Sequence, residues 1–399
     1  KNHDGYYFPT FSGVGRSLNY YPLGDERPED GVAELAVGLG KYIVDGGRAL
    51  RFSPLHPARA LQTSTIDLAL RDTQTHLLAL RAANDDGSVD SMTAGNVKVD
   101  DGYNLARKSV QDFAGSGALR YTVSTYDALD QMLRDCDSGR GRRVVTFTNI
   151  LRDKALPLAE AINFMLSQGQ SAMQRPVEIE FAGIINPAAD EAGIKGHLYW
   201  LQIRPIIDKK EQVSDELLDL PDEQLILRSD TALGHGMIDN VDTIVYIRPE
   251  KFNSMNNSRL PEILDRINTR FAQENRGYIL IGPGRWGSSD SALGIPVKWP
   301  QISAARLIVE ASLPGYRIEP SQGTHFFQNL TSFGVGYFTI DRHAGSDAFY
   351  DSAYLDSLKA EYEDDFIRIV RFGRPLTIAI NGRRGIGMVA KPDITETQN

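Results

Sequence analysis

Two short stretches gather side chains suited to phosphate and divalent-metal chemistry. Polar and apolar residues alternate in Val177-Glu178-Ile179-Glu180-Phe181, and again in His197-Leu198-Tyr199-Trp200-Leu201-Gln202-Ile203-Arg204. A period of two predicts two half-buried strands. Successive side chains on a strand point to opposite faces. Glu178 and Glu180 then share one face, and Gln202 and Arg204 share another, with Tyr199, Leu201 and Ile203 opposite. If the strands pair with their polar faces aligned, two carboxylates, an amide and a guanidinium converge. Carboxylate and amide oxygens suit Mg2+, and the guanidinium fork suits phosphate. Glu178, Glu180 and Gln202 are therefore candidate metal ligands, and Gln202 and Arg204 candidate contacts to a metal-bound nucleoside triphosphate. The same residues would serve equally as the solvated face of a hairpin with a Glu–Arg pair, and spacing alone leaves both readings open.

The remaining chain must position these strands. Its 399 residues predict two or three domains at roughly 100–200 residues each. With 41% apolar and 24% charged residues the composition is that of an ordinary globular protein. Lys plus Arg number 43 against 52 Asp plus Glu, a formal charge of −9, which argues against a nucleic-acid binder needing a basic face. One cysteine, Cys136, excludes a disulfide framework and fits a reducing, cytoplasmic setting. Seven scattered histidines without close pairs argue against zinc. No apolar run reaches the roughly 18 residues of a membrane helix. The opening Lys1-Asn2-His3-Asp4-Gly5 has neither Met nor a signal sequence, so the chain is expected to belong to something longer.

The first thirty residues are rich in Gly, Pro and Tyr and read as short strands and turns, not helix. Val32, Leu35, Ala36 and Leu39 have helical spacing and predict a helix within 29–45, followed by a strand at Tyr42-Ile43-Val44. Residues 58–83 fit a helix or an element ending in a strand, and 84–104 a loop or hairpin. Residues 144–147 read as a strand. Residues 157–168 read as a helix with Leu158, Ile162, Met165 and Leu166 inward and Gly169 closing it. A turn-rich loop at 186–196 joins the two strands described first. Residues 208–224 are acidic and poor in large apolar groups, which marks a boundary with a short helix near 214–219. Beyond it a strand at 243–247, a helix at 259–274 with Ser258 as cap and a strand at 278–281 predict a parallel crossover. Strands at 306–309 and 336–340 and a helix at 346–363 complete the pattern. The fold class is α+β: a first domain over 1–207, a linker over 208–224, and a second, α/β domain over 225–399.

Several blocks together resemble the ATP-binding domain of the phosphoenolpyruvate synthase / pyruvate, phosphate dikinase family, over about residues 5–206. They are Phe11-Ser12-Gly13-Val14-Gly15-Arg16-Ser17 with Asn19-Tyr20-Tyr21-Pro22, then Val37-Gly38-Leu39-Gly40-Lys41 with Val44-Asp45-Gly46-Gly47, then Pro176-Val177-Glu178-Ile179-Glu180-Phe181-Ala182, then Leu201-Gln202-Ile203-Arg204-Pro205. The resemblance implies an ATP-grasp-like back lobe with a mixed or antiparallel sheet, binding ATP and Mg2+. It assigns the metal to Glu178, Glu180 and Gln202 and the phosphates to Arg16, Gln202 and Arg204, with Arg204 stabilising the transferred group. The family usually has Asp where Glu178 stands, and many members have Glu where Lys41 stands. It also implies a front lobe preceding Lys1, and a phosphohistidine domain and a pyruvate-binding barrel that residues 225–399 do not match. The implied partners are a nucleotide and pyruvate or another small phosphoacceptor, with no nucleic acid and no membrane. The alternative is a non-catalytic nucleotide-sensing or scaffolding module whose C-terminal domain makes interactions.

The second half offers weaker candidates. Gly282-Pro283-Gly284-Arg285-Trp286-Gly287-Ser288-Ser289-Asp290 follows a strand, where Arg285 suits a phosphate or carboxylate, although the spacing is neither a P-loop nor a dinucleotide fingerprint. A structural turn explains it as well. His325 in Gly323-Thr324-His325-Phe326-Phe327, and His235 after Gly234, are possible phosphoacceptors or hydrogen-bonded core histidines. A third reading sets Arg285 and His325 in one cleft of the second domain.

Overall fold

The computed structural model describes residues 2–3, 5–81, 104–113, 117, 119–138, 141–186, 195–206, 213–288, 290–292, 294–312, 325–341 and 346–392. The loop or hairpin predicted at 84–104, apart from Asn104, and most of the loop predicted at 186–196 lie outside these residues. The fold is α+β, with helices set against antiparallel and mixed sheets. Among the described residues no helix is long and apolar enough to cross a membrane.

The chain forms two compact units, Lys1–Asn19 with Glu29–Ile206, and Tyr20–Pro28 with Ile207–Asn399. In the first, five strands form an antiparallel sheet: β1 (Phe11–Arg16), β2 (Val32–Ala36), β3 (Leu50–Phe52), β4 (Val177–Ile185) and β5 (Gly196–Pro205), in the order β5-β4-β1-β2-β3. Phe11, Leu35, Phe52, Val177, Ile179 and Phe181 turn one face inward, onto a core that includes helix α1 (Leu158–Met173). The helix runs through Gly169 and ends where Gln174 takes a left-handed conformation with φ 53°. Gly169 is a packing glycine: a Cβ there would stand 2.6 Å from Ile203 Cδ1, so its absence lets the helix lie close on the sheet. Smaller antiparallel sheets complete this unit, one containing His76–Arg81 and another Arg142–Val145.

Two local predictions fail here for one reason. Residues 32–36 are a strand, and residues 41–44 are a short helix rather than a strand. Val32, Ala33, Leu35 and Ala36 are all buried, so apolar residues occupy both faces of β2 and the alternation that would mark a strand disappears. Residues 58–83 contain both expected elements, a helix at Ile66–Asp72 capped by the Thr65 hydroxyl and then the strand His76–Arg81.

The second unit is layered. Four parallel strands, β6 (Thr243–Ile247), β7 (Tyr278–Pro283), β8 (Ala305–Ala311) and β9 (Gly336–Ile340), form the centre of a seven-stranded mixed sheet. Ile244, Ile281, Val309 and Phe338 pack on Leu227, Ile380 and Val389 of a five-stranded antiparallel sheet. Helices α2 (Leu260–Gln273) and α3 (His325–Phe333) cover the other face, where Phe271 meets Tyr278 and Phe327 meets Tyr337. Pro261 opens α2, whereas Ser258 ends a preceding helical turn. The helix predicted at 346–363 shrinks to Ser352–Ser357, because Phe349–Tyr350 and Tyr362–Glu363 join the two sheets as edge strands. Within 208–224, helix Asp215–Leu218 is capped by Ser214 and buries Leu218 beside Leu225 and Met388. Tyr20–Pro28 belongs to this unit: the Gly234 N–H donates to the Tyr20 carbonyl at 3.0 Å, and the Tyr21 hydroxyl donates to the Val335 carbonyl at 3.2 Å.

Candidate functional site

The candidate site lies on the outward face of the first unit's five-stranded sheet. Glycines decide which side chains reach it. A Cβ on Gly13 would fall 2.3 Å from the Phe181 ring, and one on Gly15 3.2 Å from Ile179. These glycines therefore make room on the core side for the large residues of β4. Alternation then sends Ser12, Val14 and Arg16 to the other face.

Register arranges that face in rows. Arg16, Glu178 and Arg204 stand side by side across β1, β4 and β5. The next row holds Gln202, Glu180 and Val14, and continues to Glu34 on β2 and Arg51 on β3. All five sequence-derived residues, Arg16, Glu178, Glu180, Gln202 and Arg204, thus meet on one face. Glu34 and Arg51 were missed. Glu34 sits inside a segment read as helical, and Arg51 has no motif around it. The signal would have been their opposition once β2 and β3 were paired.

Glu178 is the hinge of the first row. Its Oε2 accepts from Arg16 Nε at 2.6 Å, and its Oε1 accepts from Arg204 Nε at 2.8 Å and also from Arg204 Nη2. Its side chain is 11% exposed, against 38% for Arg16 and 58% for Arg204. Burial pushes the Glu178 carboxyl up, but the charge and hydrogen bonds of Arg16 and Arg204 outweigh it and hold the carboxyl below its usual value. The hydrogen bond to Glu178 in turn raises the Arg204 guanidinium. Arg16 Nη1 also lies 3.7 Å from Glu34.

The second row differs. Glu180 is partly exposed and Gln202 exposed, and neither side chain makes a hydrogen bond among the described residues. Two adjacent oxygens without partners fit a hard cation that fills its remaining positions with water and phosphate oxygens. Glu178 fits less well, because both of its oxygens are already engaged by guanidinium groups. Among the described residues no group of three or more His, Cys, Asp or Glu is placed to hold a metal ion unaided.

One part of the predicted geometry is corrected. The β4–β5 register slips between Glu180 and Phe181: Gln202 faces Glu180, but Trp200 faces Phe181, and Leu201 is the extra residue of a bulge. The bulge reverses the alternation beyond it. Trp200 and Leu198 turn to the core side, whereas Tyr199 and His197, opposite Ala182 and Ile184, join the face of Gln202 and Arg204.

Several of the other candidates have local roles. The Gly38-Leu39-Gly40 loop is docked on the neighbouring sheet. Gly38 has φ 88° and its carbonyl accepts from Ser12 Oγ at 2.8 Å, while Leu39 N–H donates to the Leu78 carbonyl. Lys41 starts a short helix and pairs with Asp45. Cys136 is exposed. In the second unit Trp286 is fully buried; its indole N–H donates to the Val309 carbonyl at 3.0 Å and its backbone N–H to Glu310 at 2.9 Å. A Cβ on Gly282 would lie 2.4 Å from that indole, so the glycine next to Pro283 lets the tryptophan fold back onto β7. This is the structural-turn reading. His235 stacks on Tyr20 with centroids 4.4 Å apart and 5° between planes, and its Nδ1 accepts from the Gly382 N–H at 3.1 Å. His325 begins α3; its side chain, residues 321–324 and Ser289 lie outside the described residues.

No protein-family model matches this chain, and no curated protein compared with it matches either.

Proposed function

We propose that residues 1–206 form the nucleotide lobe of an ATP-dependent phosphotransferase similar to phosphoenolpyruvate synthase and pyruvate, phosphate dikinase. In this reading the outward face of the sheet binds MgATP, and phosphate passes to a histidine or a small acceptor such as pyruvate. The observation that carries it is the row Arg16–Glu178–Arg204 beside the unpartnered pair Glu180 and Gln202. Two guanidinium groups held apart by one carboxylate present their outer N–H groups to anionic oxygens with their orientation already fixed. Preorganised charge of this kind stabilises a transferring phosphoryl group, because it needs no rearrangement as charge develops. Arg204 is the more exposed of the two and serves that role; Arg16 holds the neighbouring phosphate. Glu180 and Gln202 would hold Mg2+, which supplies charge neutralisation between the phosphates. Glu178 acts mainly by orienting the two arginines.

Calorimetric titration of the chain with MgATP tests the site. Arg204→Ala and Arg16→Ala are each expected to weaken binding about tenfold or more, since charge-assisted bonds contribute on the order of 1.5–3 kcal/mol. Binding as tight as in the unaltered chain in both variants would sink the assignment.

One observation favours a second reading, a non-catalytic nucleotide sensor or scaffold. Glu178 replaces the family's usual Asp, and its carboxylate is occupied by arginines rather than open to a metal. Transfer of label from γ-labelled ATP to a histidine or to pyruvate would remove that alternative.

A further inference from the structure

We infer that Tyr199 is the platform on which the base of the bound nucleotide stacks, so that the site takes a nucleoside polyphosphate rather than polyphosphate alone. The inference rests on the phosphate-site reading given above and adds to it the other end of the ligand.

Strict alternation along β5 would bury the Tyr199 ring with Ile203 on the core side. The bulge at Leu201 turns it to the face of Gln202 and Arg204 instead. Bulges recur next to binding sites because they re-aim a side chain. Once re-aimed, Tyr199 remains 48% exposed, and its hydroxyl makes no hydrogen bond among the described residues. An exposed aromatic ring at the edge of a charged face has one surface available for stacking.

Its open neighbour across the sheet is small. Ala182 stands opposite Tyr199 and is partly exposed, whereas Ser12 and Ala36, the next residues of that row on two further strands, are buried. The Ser12 hydroxyl donates to the Gly38 carbonyl, and the Gly38-Leu39-Gly40 loop lies against Ser12, so the open part of the row is Tyr199 with Ala182. The His197 ring lies 6.3 Å from Tyr199, one row further on. Four residues along β4 separate Glu178 from Ala182, about 13 Å at roughly 3.3 Å per residue. The three rows therefore follow the order of parts in an extended nucleotide: arginines for the outer phosphates, Glu180 and Gln202 for the metal, and Tyr199 for the base. Stacking tolerates any base, so the platform selects for a base without choosing among bases.

Titrations of the chain with MgATP and with magnesium tripolyphosphate test this. Tyr199→Ala is expected to weaken MgATP about tenfold while tripolyphosphate binding stays within about twofold. Tyr199→Phe keeps the ring and should bind MgATP as the unaltered chain does. An equal loss for both ligands in Tyr199→Ala, or no loss for either, overturns the platform and leaves the phosphate site standing. Equal affinity of the unaltered chain for the two ligands overturns it likewise. If the unaltered chain binds neither, the phosphate-site reading fails and the platform fails with it.

Discussion

The sheet face of the first unit and the Gly-rich turn of the second contain the same kinds of residue and use them in opposite ways. In β1, Gly13 and Gly15 face the core and clear space for Phe181 and Ile179, so the charged Arg16 is sent outward to meet Glu178 and Arg204. Near the end of β7, Gly282 clears space for Trp286, and the nearby carboxylate of Glu310 is fully buried, accepting from the Trp286 N–H and from the Tyr337 hydroxyl at 2.5 Å. A glycine is informative through the neighbour that occupies its missing Cβ. Where that neighbour belongs to the core, the flanking residues are free for a ligand; where it is the turn's own tryptophan, the turn is consumed by packing.

This contrast can be broken at several points. The largest expected effect is Trp286→Ala, about 4 kcal/mol lost in urea unfolding, since large aromatic truncations in a core cost roughly 3–5 kcal/mol. A loss under about 1 kcal/mol would mean that the turn is not a packing device. Gly13→Ala comes next, with about 2 kcal/mol lost through overpacking, because the added methyl meets both the Phe181 ring and the Glu34 carbonyl. The double variant Gly13→Ala, Phe181→Leu should recover part of that loss if the ring is the obstacle. Glu310→Gln keeps an acceptor for the Trp286 N–H and should cost about 1 kcal/mol, the net size of a typical hydrogen bond; Glu310→Ala should cost clearly more.

The smallest effect concerns acid. The Glu178 carboxyl is held below its ordinary value of 4.5. The stability it contributes is fully present above that pH and is lost as pH falls through the lowered value. Glu178→Gln should therefore flatten the fall in stability below about pH 4.5 while changing neutral stability by only about 1 kcal/mol, because both guanidinium partners of this carboxylate stay open to solvent. Identical acid unfolding curves for the two proteins would show that the row is not electrostatically coupled.

What the sequence revealed followed the physics of one-sided burial. β4 alternates because one of its faces meets α1 and the other meets solvent, so its span and the convergence of Glu178, Glu180, Gln202 and Arg204 were legible. β2 is buried on both faces and gave a false helical spacing. The bulge at Leu201 left no mark, because no glycine or proline accompanies it and the residues on either side alternate correctly by themselves. The place of Tyr199 therefore emerged only from the register. Likewise, nothing in Gly282-Pro283-Gly284-Arg285-Trp286 states that the tryptophan returns to its own strand; that depends on Val309 and Glu310, more than twenty residues away.

The stretch Tyr20–Pro28 has a consequence for modularity. It interrupts the hairpin of β1 and β2, yet its rings and carbonyls are part of the second unit's packing. No single cut of the polypeptide separates the units cleanly. Division after Ile206 would give one piece carrying Tyr20 and Tyr21 without their partners, and another in which His235 has lost the ring stacked against it. Shuffling of the two halves as independent cassettes is thereby disfavoured, and any exchange of the second unit has to carry a nine-residue insert in the first with it.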